Sequence, residues 1–206
     1  INWGGVSQEI AEKVGKITGT RMVVSGEPVF SMRPTPTLKF KRVEIKNAAG
    51  ASAPNLLVAP SMEITLDSGA LFRRKAIIRK ITFVKPELFV EQLEDGQWNY
   101  RFGFLNSRTQ PPDFRFESIL ISEAAVTVKK RGKPERKLDN FNVEIFADSL
   151  QGPFSLEGTV KLQEDNWRFS IKTPTLEKNA LPSFSANLIH VPSETILSFS
   201  GGFSQR

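Results

Sequence analysis

From Thr37 onward, apolar side chains fall on alternate residues, and that rhythm limits the folds open to the chain. In "SMEITLD" Met62, Ile64 and Leu66 share one side. "FNVEI" does the same with Phe141, Val143 and Ile145. "FSLEGTVKL" aligns Phe154, Leu156, Gly158, Val160 and Leu162, and "WRFSI" aligns Trp167, Phe169 and Ile171. Successive side chains of a strand point to opposite faces, so period-two alternation describes sheets with one oily face and one wet face. An oily face must be covered by helices, by another sheet or by something else.

One helix is predicted, and it precedes the strands. In "VSQEIAEKVGKITG" Val6, Ile10, Val14 and Ile17 make a narrow helical stripe, with Ser7 as N-cap and Gly19 past the end. In "TLKFKRVEIK" the pairs Leu38/Phe40 and Val43/Ile45 differ in parity, which predicts a β-bulge around Lys41-Arg42. "AIIRKITFVKPELFVEQL" reads as a strand in which Pro86 marks an edge, a bulge or a short break. Turn signals at Gly132-Lys133-Pro134, Gly152-Pro153, Asp165-Asn166 and Leu181-Pro182 predict consecutive antiparallel strands. Residues 47–55 and 106–113 read as loops. The second divides an expected helix-plus-β portion, 1–106, from an all-β portion, 114–206, that continues the same sheet.

The residues needed for most chemistry are scarce. The chain has 206 residues with no cysteine, one histidine and one tyrosine, which removes thiol catalysis, disulfides and thiolate metal sites. No nucleotide-binding glycine loop, G-x-S-x-G or H-E-x-x-H occurs. "PELFVEQLEDGQWNY" gathers Glu91, Glu94 and Asp95, but Glu-Asp-Gly is the composition of a tight turn. Solvated carboxylates in a turn are not pushed apart in acidity, as acid-base pairs must be; they are expected to shape a hairpin. His190, at a strand end before Val-Pro, is expected to be structural. No catalytic, metal-binding or cofactor-binding residue is therefore assigned.

The net charge of +6 favours anionic partners without choosing among them. In "LKFKRVEIK" and "VTVKKRGKPERK" the charges are interspersed along strands, as on a solvated sheet face. The aromatics keep step with aliphatic residues rather than with Lys and Arg, unlike a nucleic-acid stacking platform, so no nucleic acid is expected. No apolar run reaches the roughly 18 residues of a membrane helix. The start at Ile1 and the end in "SGGFSQR", where Ser200-Gly201-Gly202 reads as a turn or a cut strand, suggest an excised fragment. An outer-membrane barrel fits poorly, since one tyrosine cannot supply aromatic girdles.

Three collinear phrases resemble the AsmA family. "TGTRMVVSGEPVFSMRPTPTLKFKRVEIKN" carries Thr18, Gly19, Gly26, Pro34, Pro36, Leu38, Val43, Ile45 and Asn47 in the family's order. "LFRRKAIIRKITFVKPELFVEQLEDGQWN" continues it, and "DSLQGPFSLEGTV" is similar to the family's Ser-Leu-x-Gly-Pro followed by a strand. The resemblance implies a periplasmic protein held by an N-terminal inner-membrane helix. It also implies a relationship to bridge-like lipid-transfer proteins, and a part in lipid homeostasis and outer-membrane biogenesis. The family's anchor and C-terminal portion are not in this sequence.

Together these readings predict a mainly β protein with one N-terminal helix, its curved, mostly antiparallel sheet forming a groove or partly open barrel. The groove is expected to be lined by Phe141, Val143, Ile145, Phe154, Leu156, Val160, Leu162, Trp167, Phe169 and Ile171. Phospholipid acyl chains are the expected partner, shielded without chemistry. The alternative is a periplasmic scaffold with a closed core that contacts outer-membrane assembly proteins and carries no lipid.

Overall fold

The structure is a computed structural model that describes residues 21–73, 77–100, 117–147, 152–175 and 183–202. The expected helix from Val6 to Gly19, the 106–113 loop and the Leu181-Pro182 turn lie outside the described residues. The strands form one curved sheet that does not close into a barrel.

Its first half is built from strands that come in pairs along the chain. These are β1 (Met22–Val24) with β2 (Val29–Ser31), and β3 (Thr37–Phe40) with β4 (Val43–Lys46). Then follow β5 (Asn55–Ala59) with β6 (Ser61–Leu66), and β7 (Ile78–Val84) with β8 (Glu87–Glu91). Each pair is one long strand bent in the middle: β4 pairs with β5 while β3 pairs with β6, and β5 pairs with β8 while β6 pairs with β7. A short helix, α1 (Ser68–Phe72), links β6 to β7 and is capped by the Asp67 carboxylate, which accepts from Ala70 N–H.

Both β7 and β8 then run parallel to one long strand, β9 (Ser118–Lys129). The rest is an antiparallel meander: β10 (Arg136–Ala147), β11 (Phe154–Leu162), β12 (Asp165–Thr173), β13 (Ser183–His190) and β14 (Thr195–Gly202). The strands before and after 106–113, β8 and β9, therefore belong to one sheet.

The bends line up across the sheet as a crease. Phe40 pairs with Met62 and Val43 with Ala59; Ser61 pairs with Val84, and Val84 with Ser122. At the crossings from β3 to β10 the inward series steps by three positions instead of two: Phe40 to Val43, Ala59 to Met62, Phe83 to Pro86, Ile121 to Ala124, and Leu138 to Phe141. An extra residue bends a strand and, by restoring parity beyond the bend, keeps the same face inward on both sides. Lys41-Arg42 is thus a full break between two short strands, sharper than the single bulge expected there. Lys85, Glu123 and Asn140 occupy left-handed conformations at the crease, with φ of 50°, 52° and 52°. Backbone groups released from the ladder find other partners: Glu123 N–H donates to Asn142 Oδ1 at 2.8 Å, and Lys85 N–H to Ser122 O at 2.8 Å.

The inward residues of β3 to β7 make the core. Leu38, Phe40, Val43, Met62 and Ile64 are wholly inaccessible, clustered with Ile45, Leu57, Leu66, Ile81 and Phe83. The outward positions carry cross-strand ion pairs, Lys39–Glu63 at 2.8 Å and Lys80–Glu144 at 2.9 Å among them. This is the wet face that alternation predicted.

Two corrections concern turns. The expected turn at Asp165-Asn166 falls two residues earlier, at Gln163-Glu164, with Gln163 at φ 58°. Ser200-Gly201-Gly202 is not a turn; it is strand, with Gly201 opposite Phe184 and Gly202 opposite Ser183.

Two predictions follow from burial and charge. Phe40→Ala is expected to cost about 3–5 kcal/mol, as aromatic truncation in a packed core does. Phe199→Ala on β14, where the ring is 54% exposed, should change stability by no more than about 0.5 kcal/mol. Urea denaturation of both variants checks the contrast. At the β7–β9–β10 junction, the hydrogen bond from Lys80 holds the Glu144 carboxyl below its usual range; burial opposes this, and Ser118 and the Lys80 charge add to it. A depressed folded pKa stabilises above the unfolded value, and the benefit is lost as pH falls through the folded one. Glu144→Gln should therefore cost up to about 1 kcal/mol at neutral pH. Its deficit against wild type should shrink below about pH 4 in denaturation curves taken across pH.

Candidate functional site

Directly opposed residues of antiparallel strands share a face, so the register maps the apolar surface row by row. One row runs Val143, Gly158, Phe169, Leu188, Leu197 from β10 to β14. The next runs Ile145, Leu156, Ile171, Ala186, Phe199, and a third begins with Ala147 opposite Phe154. Val160 lies opposite Trp167, which lies opposite His190. Phe141 pairs with Ala124 on β9 and stacks on Phe169, with ring centroids 5.5 Å apart. Leu162, opposite Asp165, ends the surface at the β11–β12 turn.

All the expected lining residues thus lie on one face, the face that carries the core in the first half. Only Val143 and Val160 among them are buried; the others are half-buried. The register adds Ala186, Leu188, Leu197 and Phe199, which the expected set, ending at Ile171, leaves out. Alternation in "FSANLIH" and "TILSFS" carries the same signal. Toward β14 the face opens further, with Leu197 41% exposed. From β10 to β14 it is roughly 19 Å wide at about 4.8 Å per strand spacing.

Gly158 makes room for the aromatic pair. A Cβ there would sit 2.1 Å from the Asn142 carbonyl and 2.5 Å from Phe169 Cζ, so only hydrogen lets the ring lie flat over β11. Gly158→Ala is expected to destabilise the protein by more than about 1 kcal/mol through overpacking. Near-ultraviolet circular dichroism should weaken as the Phe141–Phe169 stack is displaced, and an unchanged spectrum and midpoint would show that the strands part freely.

The carboxylates singled out in the sequence play different parts. Asp95 accepts from Gln97 N–H at 2.9 Å beside Gly96 at φ 82°, and Gly96 N–H donates to Leu93 O, the hairpin turn expected. Glu91 is different, being 4% exposed rather than solvated. It accepts from Ser52 N–H and from Ser52 Oγ at 2.7 Å, and Lys129 Nζ lies 3.8 Å away. Its own N–H donates to Asn99 Oδ1 at 2.9 Å, and Asn99 Nδ2 donates to Asn47 Oδ1 and Phe89 O. Glu91 therefore clamps the 47–55 loop to the β8 turn. Alternation cannot reveal such a network, because its members come from three separate loops and strand ends.

His190 lies between Asp165, with Nε2 to Oδ2 at 3.3 Å, and Ser193, with Nδ1 to Oγ at 2.6 Å. Ser193 Oγ also bonds Thr195 Oγ1 at 2.8 Å, and the His190 ring lies 4.7 Å from that of Trp167. The three residues have the connectivity of a hydrolytic triad. Triad chemistry, however, acts in a water-excluded site with preorganised donors, and Ser193 and Asp165 are exposed. The network ties the β13–β14 turn to β12. Among the described residues no cluster of His, Asp or Glu is arranged to hold a metal ion, and no helix is long and apolar enough to cross a membrane.

The AsmA family model matches residues 1–186 of the chain. No curated protein and no solved structure matches it. Two positions of the resembling phrases, Asn47 and the Asn99 of Trp-Asn, meet in the buried network around Glu91.

Proposed function

The chain belongs to the AsmA family, and on that footing we propose that it shields phospholipid acyl chains on the open apolar face of β10 to β14. Family membership is consistent with a periplasmic part in lipid transport or envelope biogenesis. The reading adds that the protein acts without catalysis, tethered to the inner membrane by a helix that this sequence does not contain.

One observation carries it. A single apolar face runs the length of the sheet, filled solidly over β3 to β7 and left half-buried to exposed from β10 to β14. Exposed apolar surface of that extent is unusual unless something occupies it. An acyl chain of about 16 methylenes costs roughly 13 kcal/mol to hydrate at about 0.8 kcal/mol each. A surface of half-buried Phe, Leu and Ile relieves most of that cost and needs no reactive group.

The packed first half favours the rival scaffold, in which the face is closed and the working surface is charged. Occupancy by an apolar fluorophore separates the two. The dye is expected to gain fluorescence on the protein, to be displaced by phospholipid, and to bind at least about tenfold more weakly to Phe169→Lys, which buries a charge in the face. Lipid extraction and mass spectrometry of protein purified from its native host should return phospholipid. Absence of dye binding together with absence of co-purified lipid would leave the scaffold as the better account.

A further inference from the structure

Several cations of the sheet have a carboxylate beside them, as in Arg79–Glu117 at 2.8 Å and Lys85–Glu123 at 3.5 Å. The β9–β10 turn gathers cations that do not. Residues 129–137 read Lys-Lys-Arg-Gly-Lys-Pro-Glu-Arg-Lys, with Glu135 as their lone carboxylate. Lys129 is held by Glu91 and Ser52, and Arg131 donates to the Glu94 carbonyl. Among the described residues Lys130, Lys133 and Arg136 have no acidic partner. These charges cluster at the turn that Gly132-Lys133-Pro134 predicts and on the strand ends beside it. Gly132 at φ 68° and the Lys133 N–H to Lys130 O bond fold them into a turn.

The same three side chains border a cavity of about 330 Å³, whose other walls are Trp98, Val128 and Pro134. Val128 pairs with Arg136 and continues the Ala124–Val126 series, so the cavity opens on the apolar face at its turn end. Trp98 is steadied there by Tyr100, 6.0 Å away ring to ring, and by its bridge to Gln92. The β11–β12 and β13–β14 turns lie at this same end, since β9, β11 and β13 all run toward it.

We propose that this cavity takes the phosphate-bearing headgroup of a phospholipid whose tails lie on the β10–β14 face, an assignment that rests on the acyl-shielding reading above. Three cations that border one cavity and have no carboxylate paired with them favour an anion at its rim, and lysine and arginine bond phosphate oxygens with charge-assisted strength. A free inorganic anion has no use for walls of Trp98, Val128 and Pro134. A neutral lipid has no use for three cations. The volume also selects, because about 300 Å³ is the small end of ligand pockets. It suits a headgroup and its glycerol, and leaves the tails to the open face.

The test is an amide-resolved NMR titration with dihexanoyl-phosphatidylglycerol below its micelle concentration, and separately with inorganic phosphate. The lipid is expected to shift residues 130–136 and β11–β12 together. The variant carrying Lys130→Gln, Lys133→Gln and Arg136→Gln keeps the side-chain stems. It should lose the turn shifts and bind the lipid roughly tenfold more weakly. Phosphate alone should shift the turn only at far higher concentration than the lipid. Shifts confined to β11–β12 would overturn the headgroup site and leave tail shielding standing. Shifts confined to the turn would sustain the site and count against tail shielding. Silence at both would end both, and phosphate binding as tightly as lipid would overturn the lipid assignment. A triple variant that keeps full affinity with a native-like spectrum would overturn it as well.

Discussion

The structure depends on keeping one face of a long sheet apolar while the sheet bends. A strand whose alternation ran on unchanged through a one-residue bulge would turn its oily side outward beyond it. Here the crossings of the crease from β3 to β10 step by three, from Phe40 to Val43, Ala59 to Met62, Ile121 to Ala124 and Leu138 to Phe141. The face therefore stays continuous through the bend. The cost is paid in local conformation, at Lys85, Glu123 and Asn140, and is offset by hydrogen bonds such as Glu123 N–H to Asn142 Oδ1.

The same constraint sets up the difference between the two halves. Over β3 to β7 the apolar side is filled, and side chains such as Phe40 and Met62 contribute the burial that holds the fold. From β10 onward the register still delivers rows of apolar residues, yet they remain half-buried, and β14 is exposed along its length. A stable core thus carries an oily surface that by itself stabilises little. In the proposed reading that surface serves a lipid, with headgroup and tails recognised by different chemistry at adjoining places.

Much of this could be read from residue order. Alternation located β6, β11 and β12, and it assembled the Phe141-to-Ile171 set that the register places on one face. The step from Phe40 to Val43 was visible as a change of parity; the equivalent steps at Pro60, Glu123 and Asn140 carry the same signal. Glu91 was misread, because a carboxylate next to a turn looks solvated until Ser52 and Asn99 arrive from elsewhere in the chain. The turn within the basic run at 129–137 is legible from Gly132-Lys133-Pro134, but not that its cations border an apolar cavity.

What the sequence determined by itself is the periodicity: which side chains lie on the oily side of each strand, and that no thiol chemistry is open to the chain. Alternation acts between neighbours in the chain, so it survives without knowledge of the partner strands. Only the tertiary structure decided that the bends align into one crease and that the first half is filled while the second stays open. It alone brought Lys130, Lys133 and Arg136 around an apolar cavity. Those outcomes depend on cross-strand register and on contacts between distant segments, which local sequence does not encode.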